Sequence, residues 1–200
     1  MLLLLPVLAA LLAATLRGGS PARLFTLHLR SGGVLALAFA LQVFLYLPGV
    51  RGADLTLRWG PALYLVSLAL AFIGIARNWP LGPPLRIALC GLGLNISAVA
   101  LNGGHMPVAR AALLHAQGPG AVRDLAAHRV FANVVLASPS SRVPALGDII
   151  AVRIPIGAGN AYSIGDMLLC VGVGLLVYQV VAHPRGRTRS SDRTGRPVHA

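Results

Sequence analysis

Lysine and glutamate are absent from this 200-residue sequence, and charged residues of any kind are scarce. All 17 basic residues are arginine and all five acidic residues are aspartate, so charged side chains make up only 11% of the chain, whereas hydrophobic residues make up 56%. An ordinary soluble domain carries about 25% charged residues. The shortage of charge therefore excludes that class and predicts a protein of the lipid bilayer.

Cysteine is also scarce, because only Cys90 and Cys170 are present and both lie in apolar runs. Their positions exclude a disulfide framework and show no metal-ligand spacing, and no cofactor is predicted. The net charge of +12 would suggest nucleic acid in a soluble protein. Here no nucleic-acid recognition module accompanies the arginines, so anionic membrane lipids are the predicted partners.

Five apolar runs predict spanning helices, and nothing in them alternates as barrel strands would. Several are short against the roughly 20 residues that cross a hydrocarbon core. The runs cover residues 1–16, 33–50, 61–76, 87–101 and 164–182. We expect an all-α, polytopic bundle of about five transmembrane helices forming one membrane domain over residues 1–183. A basic tail, residues 184–200, is predicted to be disordered and cytoplasmic.

The distribution of arginine predicts the orientation. Three arginines follow the first apolar run, which has no positive segment before it, so this run reads as a retained helix and not as a cleaved signal. With five spans, residues 17–32, 77–86 and the tail hold ten of the 17 arginines on one side. The predicted location is the cell membrane, with the N-terminus outside and the C-terminus in the cytoplasm.

Glycines spaced two apart occur in both of the last two spans, in CGLGLN (90–95) and CVGVGLL (170–176). Small residues allow helix backbones to approach closely in lipid. We therefore expect the fourth and fifth spans to be close neighbours. These spans also carry polar residues, Asn95 in the middle of one and Asp166 at the start of the other, and polar groups in membrane helices are functional candidates.

The longest connection, residues 102–163, is predicted to form an outer loop with structure of its own. It opens with NGGHMPVAR, where Asn102, Gly103, Gly104 and His105 are candidate binding residues at the end of the fourth span. Residues 121–138 have apolar positions at helical spacing, which predicts an amphipathic surface helix. Residues 145–160 are too short and too interrupted to span, and we expect a hooked segment that ends near Asn160, a further candidate binding residue.

Asp148 and Asp166 stand 18 residues apart on either side of the hook. Two neighbouring carboxyls can share a proton, so that one acts as acid and the other as base in peptide hydrolysis. Each residue also has a structural explanation. Ser163 and Asp166 fit a helix capping box, and Asp148 fits a turn cap or a pair with Arg153.

In LNGGHMPV, in GDII and in SIGD, the sequence resembles a bacterial membrane family of unknown function numbered 5317. That resemblance covers nearly the whole chain and implies an integral membrane protein. GDII and SIGD are also similar to the C-terminal pattern of signal peptidase II, the lipoprotein signal peptidase. This second resemblance implies that Asp148 and Asp166 are a catalytic dyad, with Asn95 of GLGLN in a supporting role. The chain departs from that pattern in lacking the asparagine of the last motif.

Three functions follow from these patterns. The first is a non-enzymatic membrane component that binds a protein or lipid partner at its outer face. The second is an intramembrane aspartyl hydrolase acting on a membrane-anchored or lipoprotein substrate. The third is a small transporter or lipid-binding module, which would need a polar path through the spans.

Overall fold

The computed structural model describes residues 4–47, 54–127, 133–153 and 159–182. These residues are mostly helical, in agreement with the predicted class, but they also contain four short strands. The helices are α1 Leu4–Leu16, α2 Gly32–Tyr46, α3 Asp54–Ala76, α4 Pro83–Leu101, α5 Arg110–Gln117, α6 Pro119–Ala126 and α7 Ile164–Ala182. The strands are β1 Met106–Val108, β2 Val134–Leu136, β3 Ile150–Val152 and β4 Asn160–Tyr162. The predicted basic tail lies outside the described residues.

Three helices, α3, α4 and α7, are long and apolar enough to cross a membrane. The helices α1 and α2 are equally apolar but shorter. Helix α3 starts seven residues before the predicted apolar run and contains Pro61. Helix α4 starts four residues before its run, because Pro83 and Pro84 occupy the first turn, where a missing N–H costs nothing and the fixed φ suits a helix.

The long helices pack in a row, in the order α1, α7, α4, α3, α2, and the α4–α7 contact is the most extensive. The prediction that the last two spans are neighbours is therefore confirmed. The glycines explain the contact. A Cβ on Gly91 would collide with the backbone of Gly165 and Leu169, and a Cβ on Gly172 would meet the amide nitrogen of Ala88 at 2.6 Å.

One end of the row, which we call the loop end, carries the connections 17–31 and 77–82. Arg23 donates to the carbonyl of Val181 at the C-terminal end of α7, at 2.6 Å. Asn78, after α3, donates to the carbonyl of Arg30, just before α2, at 2.8 Å. These bonds bring the ends of α3 and α7 and the start of α2 to the same side of the molecule.

The opposite end carries residues 102–163, which we call the crown. Strands β1 and β2 are parallel, with Met106 opposite Val134, and β3 and β4 are antiparallel, with Ile150 opposite Tyr162. The crown has its own apolar core, separate from the helix row. Its buried members are Val108, Ala112, Leu113, Val122, Leu125 and Ala161.

Two expectations about the crown need correction. The helix predicted over residues 121–138 is right only for α6, which ends at Ala126, and is wrong for Val134–Leu136, which is β2. Val134 and Val135 are β-branched and favour a strand, and β1 supplies the partner, since Met106 donates to the carbonyl of Asn133 at 2.6 Å. The hooked segment is not irregular throughout, because Ile150–Val152 forms β3, which pairs antiparallel with β4. The described residues are therefore mostly helical, as predicted, with short strands that were not predicted.

Candidate functional site

Asp166 lies in the first turn of α7 and forms the capping box that the sequence predicts. The amide of Asp166 donates to Ser163 Oγ at 2.9 Å, and the amide of Ser163 donates to Asp166 Oδ2 at 3.1 Å. These two bonds satisfy backbone donors that the start of a helix otherwise leaves free. The carboxylate also lies at the positive end of the helix dipole, which stabilises its charge.

Asn95 of α4 extends the capping box into a closed ring of three side chains. Its Nδ2 donates to Asp166 Oδ1 at 2.7 Å, and its Oδ1 accepts from Ser163 Oγ at 2.8 Å. Ser163 is 0% exposed and Asn95 is 4% exposed, so the ring is shielded from surroundings that could compete for these bonds. Gly165 permits the approach, because a Cβ at this position would collide with Asn95 Oδ1. Asp166 thus accepts at both carboxylate oxygens, which is the role of an ionised carboxylate.

Asp148 is held by its backbone against the end of β1. Its amide donates to the carbonyl of Pro107 at 2.9 Å, and its carbonyl accepts from the amide of Ala109 at 3.0 Å. Gly147 precedes it at a close approach, since a Cβ there would collide with the Pro107 carbonyl. In the described residues the Asp148 carboxyl forms no ion pair with Arg153, the partner suggested by the sequence.

The pKa of Asp148 is raised from 3.8 to about 8, first by burial and second by the negative charge of Asp166. Burial disfavours the charged carboxylate, and a nearby like charge disfavours it further. At neutral pH most Asp148 carboxyls therefore hold a proton. Asp148 can therefore donate a proton, whereas both carboxylate oxygens of Asp166 accept hydrogen bonds.

Both carboxyls line one cavity of about 720 Å³ at the junction of the helix row and the crown. Asn95 and Asn160 line the same cavity, so the structure brings together four of the eight candidate residues. In the part of the chain that the structure describes, the lining contains no arginine, lysine or histidine. The remaining walls are largely apolar side chains of α2, α3, α4, α5 and α6.

Several further polar residues of the cavity were missed by sequence reasoning, among them Tyr46, Gln117 and Asn133. Tyr46, at the end of α2, and Asn133, just before β2, form a hydrogen bond in which Asn133 Nδ2 donates to the Tyr46 hydroxyl at 2.9 Å. Gln117 of α5 donates to Asn160 Oδ1 at 3.0 Å. The isolated asparagine in the apolar run FANVVLA was the one signal for this part of the site, because a polar side chain in such a run needs a partner.

The other four candidates, Asn102, Gly103, Gly104 and His105, form the turn between α4 and β1 and are not among the described residues that line the cavity. Asn102 fixes the crown to α4, since its Nδ2 donates to the carbonyl of Arg142 at 2.8 Å and its Oδ1 accepts from the Arg142 amide at 2.8 Å. Gly103 and Gly104 have φ of +68° and +87°, which favours glycine. The binding role of these residues stays a prediction.

The described residues contain no group of three or more histidine, cysteine or acidic side chains that could hold a metal ion. What the arrangement supplies is a proton donor, a proton acceptor and several amide and phenol groups around a mostly apolar space.

Residues 26–178, about three quarters of the chain, match the family model described as Family of unknown function (DUF5317). No curated protein and no solved structure matches the chain. The match includes α2, α3, α4, the crown and most of α7, and hence every residue of the cavity named above. The chain therefore belongs to the family of unknown function DUF5317.

Proposed function

We propose that the chain crosses the cell membrane five times, with its N-terminus and its crown outside and its C-terminus in the cytoplasm. The exposed surfaces of α1 and α2 support their assignment as the two further spans, because both are lined with large apolar side chains, among them Leu8 and Leu12 of α1 and Leu37 and Val43 of α2. Both helices pack beside span-length helices, α1 on α7 and α2 on α3. At 13 and 15 residues they are shorter than a typical span and require flanking residues or a locally thin bilayer.

We propose that the protein is a membrane component that binds a membrane-borne partner, either a lipid or a segment of a protein, in the cavity under the crown. The observation that carries this function is the cavity itself. Its volume of about 720 Å³ and its mostly apolar walls with a few polar groups are typical of ligand sites. The crown, with its own core, covers the space where the spans end.

A photoreactive phenylalanine at Tyr64, a cavity residue of α3, tests this function in native membranes. Irradiation should give a discrete adduct with lipid or protein. Ala71→Phe should abolish the adduct, because Ala71 lines the cavity and a ring fills the space. Ala69→Phe is the matched control, since Ala69 lies on the exposed face of the same helix. An adduct that is equally strong in both variants would show that the cavity holds no partner.

A second candidate, an intramembrane aspartyl hydrolase, is favoured by the raised pKa of Asp148 and by the hydrogen bonds that Asp166 accepts in the same cavity. In this reaction Asp166 would accept a proton from water as its oxygen attacks a peptide carbonyl. Asp148 would donate its proton to the carbonyl oxygen or to the leaving nitrogen. The resemblance of GDII and SIGD to signal peptidase II supports the same pair.

The test of the hydrolase is cleavage of a lipoprotein precursor in membranes that contain the parent protein, Asp148→Asn or Asp166→Asn. Each substitution should abolish cleavage, because each removes one half of the proton exchange. Asp124→Asn, an exposed aspartate of α6, is the control and should cleave like the parent. The hydrolase is wrong if the parent does not cleave, or if both cavity variants still do. The transporter alternative stays a prediction.

A further inference from the structure

The cavity has two parts of different chemistry. The polar part, at the crown end, contains Asp148, Asp166, Asn95 and Asn133. The apolar part continues from there between α2 and α3 toward the loop end. Its walls are Leu35, Ala38 and Phe39 of α2 and Leu68, Ala71 and Ile75 of α3.

Two helices supply the apolar walls. The cavity residues of α2 recur at helical spacing from Leu35 to Tyr46, and those of α3 recur from Tyr64 to Ile75, so each helix presents one stripe to the cavity. The apolar wall of α3 from Leu68 to Ile75 corresponds to about 10 Å along the helix axis, which is roughly a third of a hydrocarbon core. Leu35 packs on Gly74, so α2 and α3 are in direct contact at the loop end and close the stripes there.

The apolar walls favour a hydrocarbon chain over an extended peptide. An extended peptide would bring unpaired backbone amides against leucine, alanine and isoleucine, which offer no hydrogen bonds. A hydrocarbon chain has no polar groups to satisfy.

The charge at the crown end determines which head group of a ligand the cavity favours. Asp148 and Asp166 line the cavity, and the described lining residues include no arginine, lysine or histidine beside them. An ammonium head would favour the ionised form of both carboxyls and would find hydrogen-bond acceptors there, whereas a phosphate or sulfate head would be repelled by a carboxylate. Among the described residues, no hydrogen-bond partner occupies the Asp148 carboxyl, so it is available to a ligand.

We propose that the cavity binds an amphiphile whose hydrocarbon chain lies between α2 and α3 and whose ammonium head lies between Asp148 and Asp166. This inference rests on the proposed binding function and names its ligand class. The hydrocarbon chain of the ligand enters the apolar stripe from the crown end, and the ammonium head stays beside the two carboxyls.

Native mass spectrometry of the full chain in a sterol-based detergent tests the proposal with three probes of equal chain length, namely dodecylammonium, dodecanol and dodecyl sulfate. Dodecylammonium should bind one to one and at least tenfold more tightly than the other two. The measurement is made at about pH 9, above the pKa of Asp148 and below that of an alkylammonium. Asp148→Asn should reduce the affinity for dodecylammonium about tenfold and leave dodecanol unchanged, whereas Asp124→Asn should change neither.

Ala71→Phe should block all three probes, and Ala69→Phe should block none. If Ala71→Phe does not fold, Gln42→Phe fills the same stripe from α2. Equal binding of the three probes, lost in Ala71→Phe, would overturn the ammonium head and leave the binding function standing. Binding that Ala71→Phe does not affect would overturn both. Displacement of dodecylammonium by an apolar helical peptide would show that the occupant is a protein segment.

Discussion

At the scale of single residues, Asp166 has a structural role that needs no ligand. The capping box with Ser163 and the bond from Asn95 account for both of its oxygens. A carboxylate oxygen has two lone pairs, so each can still accept one more bond from a ligand or a water. Position beside Asp148, and not the capping box, makes Asp166 a candidate for function.

Ser163→Ala should destabilise the protein by about 1–3 kcal/mol, because it removes a helix cap and a buried hydrogen bond. The substitution leaves the α7 amide of Asp166 and Asn95 Oδ1 without their partner. Thermal unfolding in detergent measures the loss. Ser97→Ala is the control, since Ser97 is exposed and its hydroxyl donates only within α4, to the carbonyl of Gly93. A change in Ser163→Ala no larger than in Ser97→Ala would contradict the closed ring.

The pKa of Asp148 predicts a pH dependence of stability. The folded-state pKa of about 8 exceeds the ordinary value of 3.8, so the folded protein holds this proton more tightly than the unfolded chain. The contribution of Asp148 to stability is therefore greatest below about pH 4 and is lost as the pH rises toward about 8. Asp148→Asn should flatten this part of the curve of melting temperature against pH, and Asp124→Asn should not. Parallel curves for the parent and Asp148→Asn would show that the carboxyl is not perturbed.

At the scale of elements, the glycines of α4 and α7 divide into two sets. Gly91 and Gly172 lie in the contact between the two helices. Gly93 faces Phe72 of α3, and Gly174 faces Pro6 and Ala10 of α1. Two residues correspond to a rotation of about 200° around the helix axis, so glycines two apart face different neighbouring helices. The spacing seen in the sequence therefore serves three interfaces and not one.

Gly91→Ala should separate α4 from α7 and cost about 1–3 kcal/mol, because the new methyl meets backbone atoms that cannot move aside without shifting a helix. It should also disturb the ring of Asn95, Ser163 and Asp166, which depends on the same contact. Gly93→Ala is a close control, since its methyl would lie 3.8 Å from Phe72 Cε2, an ordinary contact. Unfolding curves of the two variants compare the costs. Equal stability of both would show that the helices do not pack as described.

At the scale of the whole molecule, the bonds at the loop end and the position of the crown fix which connections share a side. Thr26 is exposed at the loop end, and Ser140 is exposed on the crown. If the chain spans the membrane as proposed, these two residues lie on opposite sides of it.

Labelling of introduced cysteines in intact cells measures this orientation. With Cys90 and Cys170 replaced by alanine, Ser140→Cys should react with a membrane-impermeant maleimide. Thr26→Cys should react only after the membrane is opened, because the proposed orientation places the loop end in the cytoplasm. The reverse pattern would invert the proposed orientation, and labelling of both in intact cells would refute a membrane between them.

The sequence determined the features that depend on neighbours along the chain. Hydropathy over consecutive residues predicted where the long helices lie. The first residues differ from the prediction, because α4 begins four residues earlier, at Pro83, and α3 begins seven residues earlier, at Asp54. The capping box was visible because Ser163 and Asp166 are three residues apart. The α4–α7 contact was visible because glycine is the one residue that permits such close packing, wherever the partner comes from.

The tertiary structure decided the features that depend on residues far apart. Val134–Leu136 carries an apolar pattern that suits helix or strand, and pairing with β1 selects the strand. Tyr46 and Asn133 are 87 residues apart, and no local pattern joins them. The sequence suggested Asp148 and Asp166 as a pair because they lie on either side of the predicted hook. Their common cavity, and the raised pKa of one beside the charge of the other, arise only when the crown closes over the ends of the helices, since burial and long-range charge are properties of the folded chain.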